Sequence, residues 1–483
     1  MVMHAIRVKP PTRERGDGVS AELAARFETI RTELSVPDEF PAPVLAEAER
    51  AAASPTLPER DETDVPFLTI DPPGSMDLDQ AMHLSRDGDG YRVRYAIADV
   101  PAFVVAGGAV DTETRRRGET IYAPDRRTPL HPPVLGEGAA SLLPDQPRPA
   151  FVWDLRLGAD GVVTDAQVFR AVVRSTDRLD YEGVQKSIDA GSADERLMLL
   201  REIGTKRVEL ERRRGGASLP MPEQEVEQDR AGHYQVRFRP PLDAEDWNAQ
   251  ISLMTGMAAA DLMIGAKVGI LRTMPAPDAG ALDRIRRASA GLGVSWPADQ
   301  AYGEFLRTLD RTNPAHLALI HEATSLFRGA GYTPFDGQVP AQPGHAAVAA
   351  AYAHVTAPLR RLVDRFGLVV CEAISAGQPI PAWAREALPS LPQIMMASDR
   401  VASGVERACA DAAEAAVLLH RVGETFDAMV VEVRDRTGAV VQLQEPAVLA
   451  KAEGVGELGT WVKVKLVEAT VSTGTVRLRI VAT

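Results

Sequence analysis

The spacing of apolar residues divides the chain into a strand-rich first part and a helix-rich second part. Strict alternation over residues 91–97 predicts a strand, and apolar runs on either side of residues 158–161 predict a hairpin. From about Ser192 onward, apolar residues recur at helical spacing. This spacing predicts helices at 197–214, 246–271, 281–292 and 316–329, and a long one after Pro358. Because strands precede helices and do not alternate with them, we predict the α+β fold class.

The two ends of the chain have patterns of their own, on either side of a central domain that we place at residues 65–422. In residues 1–64, apolar residues from Leu23 onward have helical spacing, and Pro43 opens a second short helix. These helices are compatible with a helix-turn-helix module and with simple packing on the next domain. Residues 423–483 contain β-branched runs between glycine turns, which predict a five-stranded antiparallel barrel of the oligonucleotide-binding (OB) type. Other small β modules fit that pattern almost as well.

The composition is that of an ordinary folded protein. The chain has 483 residues, of which 45% are apolar and 25% charged, and these values exclude a disordered or collagen-like chain. Its two cysteines cannot form a disulfide framework or a four-thiolate zinc site. The longest apolar stretch, residues 251–274, is interrupted by charged residues, and the N-terminus lacks the apolar run of a signal peptide. We therefore expect a soluble cytoplasmic protein that does not use a membrane.

Arginine dominates the positive charge of an acidic chain. The net charge is −13, and of the 54 Lys and Arg residues only seven are Lys. Codon bias in a GC-rich genome explains such an excess, but the arginines also occur in clusters, at 115–117, 126–127, 212–214, 286–287 and 360–361. Guanidinium groups bind phosphate oxygens in pairs, so clusters that converge on one channel would hold a polyanion. Taken singly, each cluster is equally compatible with a solvated surface.

Three aspartates lie close together after a short apolar strand. Asp71, Asp77 and Asp79 fall within nine residues, and a Pro-Pro-Gly turn separates the first from the other two. Crowded carboxylates repel one another unless a cation neutralises them. Mg²⁺ is a suitable cation, because it binds one or two carboxylates together with water and phosphate oxygens. Without further context, an acidic turn and the D-x-D metal site of a sugar-nucleotide enzyme are compatible with the same residues.

Several segments of the chain together resemble the ribonuclease II and ribonuclease R family of 3′→5′ exoribonucleases. T-I-D-P-P-G-S-M-D-L-D-Q-A at 69–81 is similar to the family's active-site signature, and T-A-P-L-R-R-L-V-D at 356–364 is similar to a second signature. The similarity to family motifs continues, in the family's order, at residues 95–104, 121–151, 216–219 and 344–345. The resemblance extends from about Val65 to about Leu418. It implies an RNB catalytic domain between the helical N-terminal region and the OB-type barrel.

The resemblance assigns roles to the acidic segment. It implies that Asp71, Asp77 and Asp79 bind the metal ion, with Asp77 and Asp79 also acting in catalysis. The fourth aspartate of the family pattern is Gln80 here. Its neutral carbonyl oxygen would still bind Mg²⁺, but more weakly than a carboxylate. Either the metal is retained with lower affinity or the chain is a catalytically impaired member.

The resemblance also implies residues that contact RNA. Arg360 takes the position beside the scissile phosphate, and the apolar spacing after Pro358 places it in the first turn of a helix. Its neighbour Arg361 is assigned to RNA binding as well. Tyr122 aligns with an aromatic residue that stacks on an RNA base, although a half-buried strand tyrosine is the alternative. Glu406 resembles an acidic residue near the RNA path.

The function implied is hydrolysis of single-stranded RNA from the 3′ end to nucleoside 5′-monophosphates. We expect a monomer that uses Mg²⁺, or Mn²⁺ in its place, and no small-molecule cofactor. Members of the family carry cold-shock barrels before the catalytic domain, whereas only 64 residues precede Val65 here, so we expect a different RNA entrance. Gln80 motivates a second hypothesis, a non-catalytic RNA-binding member. An unrelated metal phosphoesterase is a third, which the signature around Arg360 disfavours.

Overall fold

The computed structural model describes residues 6–8, 18–221, 223–228, 234–239, 241–433 and 438–481. Parts of all three predicted regions lie outside the described residues. They are residues 1–5 and 9–17 of the N-terminal region, residues 222, 229–233 and 240 of the central domain, and residues 434–437 and 482–483 of the C-terminal barrel. Within the described part of the central domain, the strands of a barrel come before most of the helices, which confirms the α+β class.

The N-terminal region contains a short strand and two helices, β1 (Ile6–Val8), α1 (Gly18–Glu33) and α2 (Ala42–Ala53). The apolar stripe of α1, which includes Phe27, is buried in one cluster with residues of the last long helix of the chain. Val44 of α2 is buried in another cluster, on the central domain. The helical prediction is confirmed. Both helices pack on the rest of the protein and do not stand apart as a helix-turn-helix unit.

The strands of the first half close into a barrel. The elements of this part are β2 (Asp61–Ile70), β3 (Gln80–Asp87), β4 (Gly90–Ala98), α3 (Ala109–Arg117), β5 (Ile121–Tyr122), β6 (Arg127–Thr128), β7 (Pro147–Leu157) and β8 (Val163–Leu179). The barrel order is β2-β3-β4-β7-β8, and β2 closes it by pairing in parallel with β8. Alternation places Tyr95 and Trp153, which face each other across β4 and β7, in the buried interior. The predicted hairpin is the β7–β8 pair.

Helices cover one side of this barrel and continue the chain. The elements are α4 (Tyr181–Asp189), α5 (Glu195–Arg213), β9 (Glu223–Gln228), β10 (Tyr234–Arg239), α6 (Asp243–Ala266), β11 (Val268–Thr273), α7 (Ala279–Gly291), α8 (Tyr302–Arg307), α9 (Pro314–Ala323), β12 (Gly331–Asp336), β13 (Gly344–His345), β14 (Ala350–Ala351), α10 (Leu362–Ser375), α11 (Ala382–Ala387) and α12 (Leu391–Leu418). Apolar residues of α5, α6 and α10 share one core with the barrel. This core includes Ile70 at the end of β2 and Met82 near the start of β3, so it supports that end of the barrel.

Three of the predicted helix boundaries are wrong. The helix expected at 246–271 ends at Ala266, because Lys267 adopts a left-handed conformation with φ 58° and the next residues form β11, paired with β12. The helix expected at 316–329 ends at Ala323 and continues only as a 3-10 turn. The long helix expected from Pro358 begins at Leu362.

Helix α6 also has the length and apolar composition of a membrane-spanning helix. It is the one such helix within the described residues, and 50% of its apolar window is buried inside the protein.

The C-terminal residues form a second closed barrel, from β15 (Thr425–Val433), β16 (Gly438–Leu443), β17 (Leu449–Glu453), β18 (Trp461–Thr470) and β19 (Thr475–Val481). Its order is β15-β16-β17-β19-β18, which confirms the predicted OB-type barrel. It is not wholly antiparallel, since β17 and β19 pair in parallel. Its strand β17, Leu-Ala-Lys-Ala-Glu, contains no β-branched residue and therefore differs from the β-branched runs that marked this region in the sequence.

Candidate active site

The acidic segment connects the end of β2 to the start of β3 and is fixed at both ends. The amide of Asp71 donates to the carbonyl of Leu179 at the end of β8, over 3.1 Å. Gly74, with φ 84°, allows the turn that follows. Leu78 is fully buried, and its amide donates to the hydroxyl of Ser141 over 2.9 Å. These contacts hold the carboxylates on either side of Leu78 at one end of the first barrel.

Asp79 is the most deeply buried of the three aspartates, at 2% exposure. Its Oδ1 accepts a hydrogen bond from the amide of Leu359 over 2.7 Å. Its Oδ2 lies 3.2 Å from Nε of Arg360 but has no hydrogen-bond partner. Burial raises the pKa of Asp79 to about 8, although Arg360 and the amide of Leu359 act in the opposite direction. This carboxylate is therefore only partly neutralised by the protein.

Asp71 lies in the same electrostatic environment. Burial raises its pKa to about 7, Arg360 and Arg178 lower it, and the charge of Asp77 raises it further. Arg178 also donates to the carbonyl of Ser75 over 2.5 Å, so it holds the turn after Asp71. The charges of Arg360 and Asp77 thus act on both Asp71 and Asp79.

Asp77 differs from the other two because it has a cation of its own. It forms an ion pair with Arg127. The hydroxyl of Tyr122 lies 3.5 Å from Oδ2 of Asp77. Tyr122 and Arg127 face each other across the β5–β6 pair, so one short hairpin supplies both contacts. The guanidinium of Arg127 also binds Glu137, with 2.9 Å between Nη2 and Oε1.

Gln80 is occupied by hydrogen bonds to the protein at both ends of its amide. Its Nε2 donates to the carbonyl of Thr356 over 2.7 Å, and its Oε1 accepts from the hydroxyl of Tyr95 over 2.5 Å. The hydroxyl of Ser252 lies 2.8 Å from that of Tyr95 and 3.4 Å from Gln80. To bind a metal, Oε1 of Gln80 would have to share its lone pairs with these two hydroxyl groups. In this arrangement the side chain joins β3 to α6 and to the segment before α10.

Arg360 lies in a turn and not, as expected, in the first turn of a helix. Asp364 causes the difference: its buried carboxylate accepts from the amide of Ala357 over 2.7 Å and from the guanidinium of Arg361, which folds residues 357–361 into a turn before α10. Arg361 is therefore directed at Asp364, and it holds the turn that carries Arg360. The Arg360 side chain keeps 45% exposure beside Asp79.

A cavity of about 760 Å³ lies next to the acidic segment, although the side chains of Asp71, Asp77, Asp79 and Arg360 are not part of its walls. Its walls include the turn at residues 72–75, Tyr122, Arg127 and, on α12, Glu406. Tyr122 is 45% exposed, so its ring is available to a ligand in this cavity. The predicted RNA contacts Tyr122 and Glu406 therefore share one space. Arg361 is absent from these walls.

Most of the arginine clusters do not converge on the site. Arg115 pairs with Asp111, while Arg116 and Arg117 pair with Glu113, all within α3. In the cluster at 212–214, Arg212 pairs with Glu304 and Arg213 with Glu209. Only the clusters at 126–127 and 360–361 reach the acidic segment or its cavity.

Sequence reasoning missed the residues that hold the site together. Tyr95 and Thr356 begin segments that are similar to family motifs, whereas Ser252 belongs to none, and the sequence gives no signal for the contacts of these three residues with Gln80. Arg127 was visible only as half of the Arg126-Arg127 pair. Its partner Asp77 lies 50 positions earlier in the chain, and the two residues meet because the β5–β6 hairpin carries Arg127 to the acidic segment.

Comparison with known proteins identifies the family. Residues 59–372 match the RNB domain, and residues 424–481 match the C-terminal S1 domain of RNase II-type exonucleases. The first match covers more than half of the chain. The chain belongs to the RNB family. This family comprises homologues of ribonuclease II and ribonuclease R, among which are 3′→5′ exoribonucleases that use divalent metal ions.

RNB proteins of different kinds are similar to the chain. Ribonuclease R of Escherichia coli is 27% identical over 374 residues, which are 72% of this chain and 44% of that protein. The chain spans less than half the length of the curated relatives first matched. The solved structure of Mycoplasma genitalium RNase R in complex with ribose methylated single-stranded RNA has a TM-score of 0.85, with 18% identity over 95% of this chain and 78% of that chain. Yeast Ssd1, a pseudonuclease, has a TM-score of 0.63, with 16% identity over 83% of this chain and 52% of that chain.

The residues at this site fit a divalent cation held by two carboxylates. Oδ2 of Asp79 is buried without a partner, and burial raises the pKa of Asp71 and of Asp79. A cation would neutralise both groups and satisfy the orphaned oxygen. No group of three or more His, Cys, Asp or Glu side chains suited to a metal occurs among the described residues, and Asp77 is engaged by Arg127. The fit is to a cation that also binds water and phosphate oxygens, not to a three-carboxylate cage.

Proposed function

We propose that this chain is a metal-dependent exoribonuclease that hydrolyses single-stranded RNA from its 3′ end and releases nucleoside 5′-monophosphates. The observation that supports it best is the buried Asp79, whose Oδ2 has no hydrogen-bond partner and lies 3.2 Å from Arg360. A buried carboxylate left in this state is costly for a protein unless a ligand completes it. Mg²⁺, or Mn²⁺ in its place, together with a phosphate would complete it. The proposal is for a monomeric cytoplasmic enzyme.

Different residues of the site bind the metal ion and the phosphate. Asp71 and Asp79 hold the metal ion. When bound, a divalent cation lowers the pKa of water and adds positive charge at the phosphate oxygens. Arg360, with 45% of its side chain exposed, adds positive charge to the phosphate as negative charge develops on it during hydrolysis. The turn fixed by Asp364 and Arg361 keeps Arg360 in place before substrate arrives.

The cavity of about 760 Å³, whose walls include the turn after Asp71 and the two residues that contact Asp77, is the proposed space for the 3′-terminal nucleotides. Stacking on the exposed ring of Tyr122 would hold any base, since every base has a flat face and such stacking is worth about 1–3 kcal/mol. Glu406, on α12, lines the same cavity. The second barrel would add a non-specific attraction for the RNA backbone through its exposed basic residues.

The test is hydrolysis of a 5′-labelled single-stranded RNA by the full chain with Mg²⁺ or Mn²⁺, before and after addition of chelator. We expect stepwise shortening from the 3′ end, release of nucleoside 5′-monophosphates, and loss of both on chelation. An RNA of the same sequence labelled at its 3′ end should release the label as the first mononucleotide. Internal cleavage, or activity that chelator does not change, would contradict the proposal.

A second candidate function is RNA binding without catalysis. Two observations favour it: Gln80 stands where the family pattern has an aspartate, and its amide is occupied by Thr356 and Tyr95. The fold is also shared with a pseudonuclease. RNA bound at the same affinity with and without metal, with no mononucleotide formed, would support this function over the first.

A further inference from the structure

Arg127 is a second cation beside the aspartates, and carboxylates bind both of its terminal nitrogens. Nη1 pairs with Asp77, and Nη2 lies 2.9 Å from Oε1 of Glu137. Tyr122, opposite Arg127 in the hairpin, has its hydroxyl 3.5 Å from the other oxygen of Asp77. Both oxygens of Asp77 therefore face donors of the protein. Asp79, by contrast, has an oxygen with no hydrogen-bond partner.

The Arg127–Asp77 pair is well shielded from water. The side chains of Arg127 and Asp77 are only 27% and 16% exposed. A metal ion and a guanidinium compete for the same carboxylate oxygens, so a metal ion at Asp77 would have to displace Arg127. Displacement would leave a half-buried guanidinium with Glu137 alone, and separating partly buried charges is unfavourable.

We propose that Arg127 takes the place of a metal ion at Asp77, so that the metal site of this chain consists of Asp71 and Asp79 alone. Asp77 then serves to position Arg127 and is not a metal ligand. Arg127 is a positioning residue with a fixed charge, which neutralises Asp77 at every metal concentration. Because Arg127 neutralises Asp77, this carboxylate repels a phosphate in the cavity less than an unpaired carboxylate would. The inference rests on the proposed function in one respect, because both concern the same metal.

The test measures Mn²⁺ binding to the full chain without RNA, by calorimetry and by the electron paramagnetic resonance signal of free Mn²⁺. The variants are Asp77→Asn, Arg127→Lys and Arg127→Gln. Arg92→Gln is the matched control, because the Arg92–Asp154 pair on the outside of the first barrel has side-chain exposures of 28% and 15%. Thermal unfolding of each variant verifies that it is folded.

We expect one Mn²⁺ per wild-type chain and an affinity that Asp77→Asn changes by less than about twofold, since a residue that does not touch the metal contributes little. Arg127→Gln should add a second ion or tighten binding by about tenfold, because it frees a carboxylate for the metal. Arg127→Lys, which keeps the charge, and Arg92→Gln should match wild type. Combining Asp77→Asn with Arg127→Gln should remove the gain.

Two results would overturn the inference. One is a loss of about tenfold or more in Mn²⁺ affinity with Asp77→Asn, because losses of about that size are typical of residues that bind the metal or support its ligands. The other is a folded Arg127→Gln variant with unchanged stoichiometry and affinity. Hydrolysis is measured separately: a wild-type chain that binds one Mn²⁺ and responds to Arg127→Gln as expected, yet releases no mononucleotide, would refute the proposed function and leave this inference standing.

Discussion

The two five-stranded barrels place their charged residues in opposite surroundings. At the end of the first barrel, Asp79 is 2% exposed and burial raises its pKa to about 8. On the second barrel, Lys465 and Arg479 face each other across β18 and β19 on the exposed side of the sheet. A buried charge depends on a few specific partners, whereas an exposed one is screened by water and salt. A single substitution should therefore have a large effect on activity at the first site, whereas a single substitution on the second barrel should have a small effect on RNA binding.

The barrels also differ in what their strands connect. In the first, α3, β5 and β6 are inserted between the adjacent strands β4 and β7, and this insertion carries Tyr122 and Arg127 to the acidic segment. In the second, β15, β16 and β17 follow one another as antiparallel neighbours. A closed barrel alone gives a stable end, and it is the insertion that turns one such end into a candidate active site.

The largest effect should come from Asp79→Asn. We expect hydrolysis to fall by roughly a thousandfold, because an amide is a poor ligand for Mg²⁺ and cannot accept a proton from water. RNA affinity should be kept or improved, since a negative charge near phosphate is removed. Single-turnover hydrolysis and RNA binding, measured side by side, test both statements. The control is Asp336→Asn, in an exposed pair with Arg385. If the rate of Asp79→Asn is within about tenfold of wild type, the buried site of the first barrel is not especially sensitive to a single substitution.

Gln80→Asp should have two opposite effects. Restoring the family's carboxylate should lower the Mg²⁺ concentration needed for half-maximal rate, and the gain should shrink at saturating metal. The shorter side chain loses the donor to the carbonyl of Thr356, so the free energy of unfolding should fall by about 1–3 kcal/mol.

Gln80→Asn separates the two effects, because it shortens the side chain as much without adding charge. Denaturant unfolding and a Mg²⁺ titration of the rate provide the measurements. If Gln80→Asp and Gln80→Asn show the same metal dependence as wild type, position 80 does not touch the metal.

Glu414→Gln tests, by its pH dependence, the junction of α12 with β9 and with the second barrel. Glu414, on α12, accepts hydrogen bonds from Gln224 on β9 (2.6 Å) and from the amide of Leu449 on β17 (3.1 Å). Burial raises its pKa from 4.5 to about 8. Between these values the folded state keeps a proton that the unfolded chain has lost, so the free energy of unfolding should decrease as pH rises through this range.

Glutamine keeps the acceptor but does not ionise. The decrease between pH 5 and pH 8 should therefore be smaller in Glu414→Gln than in wild type, by about 1 kcal/mol or more. Urea unfolding at several pH values measures the difference, with the exposed Glu424→Gln as control. Parallel pH curves for wild type and Glu414→Gln would show that Glu414 is ionised in the folded protein.

The smallest effect should come from the exposed face of the second barrel. Deleting residues 423–483 is expected to weaken RNA affinity and its salt dependence while leaving slow hydrolysis. Because deletion would also uncover Leu317, which packs on Met429 and Val431, point substitutions give a sharper test. Lys465→Gln combined with Arg479→Gln should weaken RNA binding a fewfold and reduce the slope of log K against log salt by about 1.

The matched control is Arg86→Gln with Arg156→Gln, two exposed arginines at the far hairpin of the first barrel. Binding measured over a range of salt concentrations, with the rate at saturating RNA, distinguishes the two surfaces. Equal changes in RNA affinity in both double variants would mean that the second barrel contributes no more to RNA binding than the first barrel's exposed arginines.

The periodic parts of the chain were predictable, and their boundaries were less so. The hairpin of β7 and β8, the helix α5 and the OB-type barrel follow from alternation, helical spacing and glycine turns. The end of α6 was not predictable, because pairing with β12 outweighs the helical preference of residues 267–271. Nor was the start of α10, where Asp364 binds the backbone of Ala357.

The sequence by itself determined which residues are candidates for the chemistry. Asp71, Asp77, Asp79 and Arg360 are recognisable in their motifs, because motifs are local. The tertiary structure alone decided the surroundings of each residue. Burial raises the pKa of Asp71 and of Asp79, whereas Asp77 is paired with Arg127, and Gln80 is hydrogen-bonded to Thr356 and Tyr95. These partners come from distant parts of the chain, and burial and electrostatic pairing depend on distances in space, which spacing along a sequence does not contain.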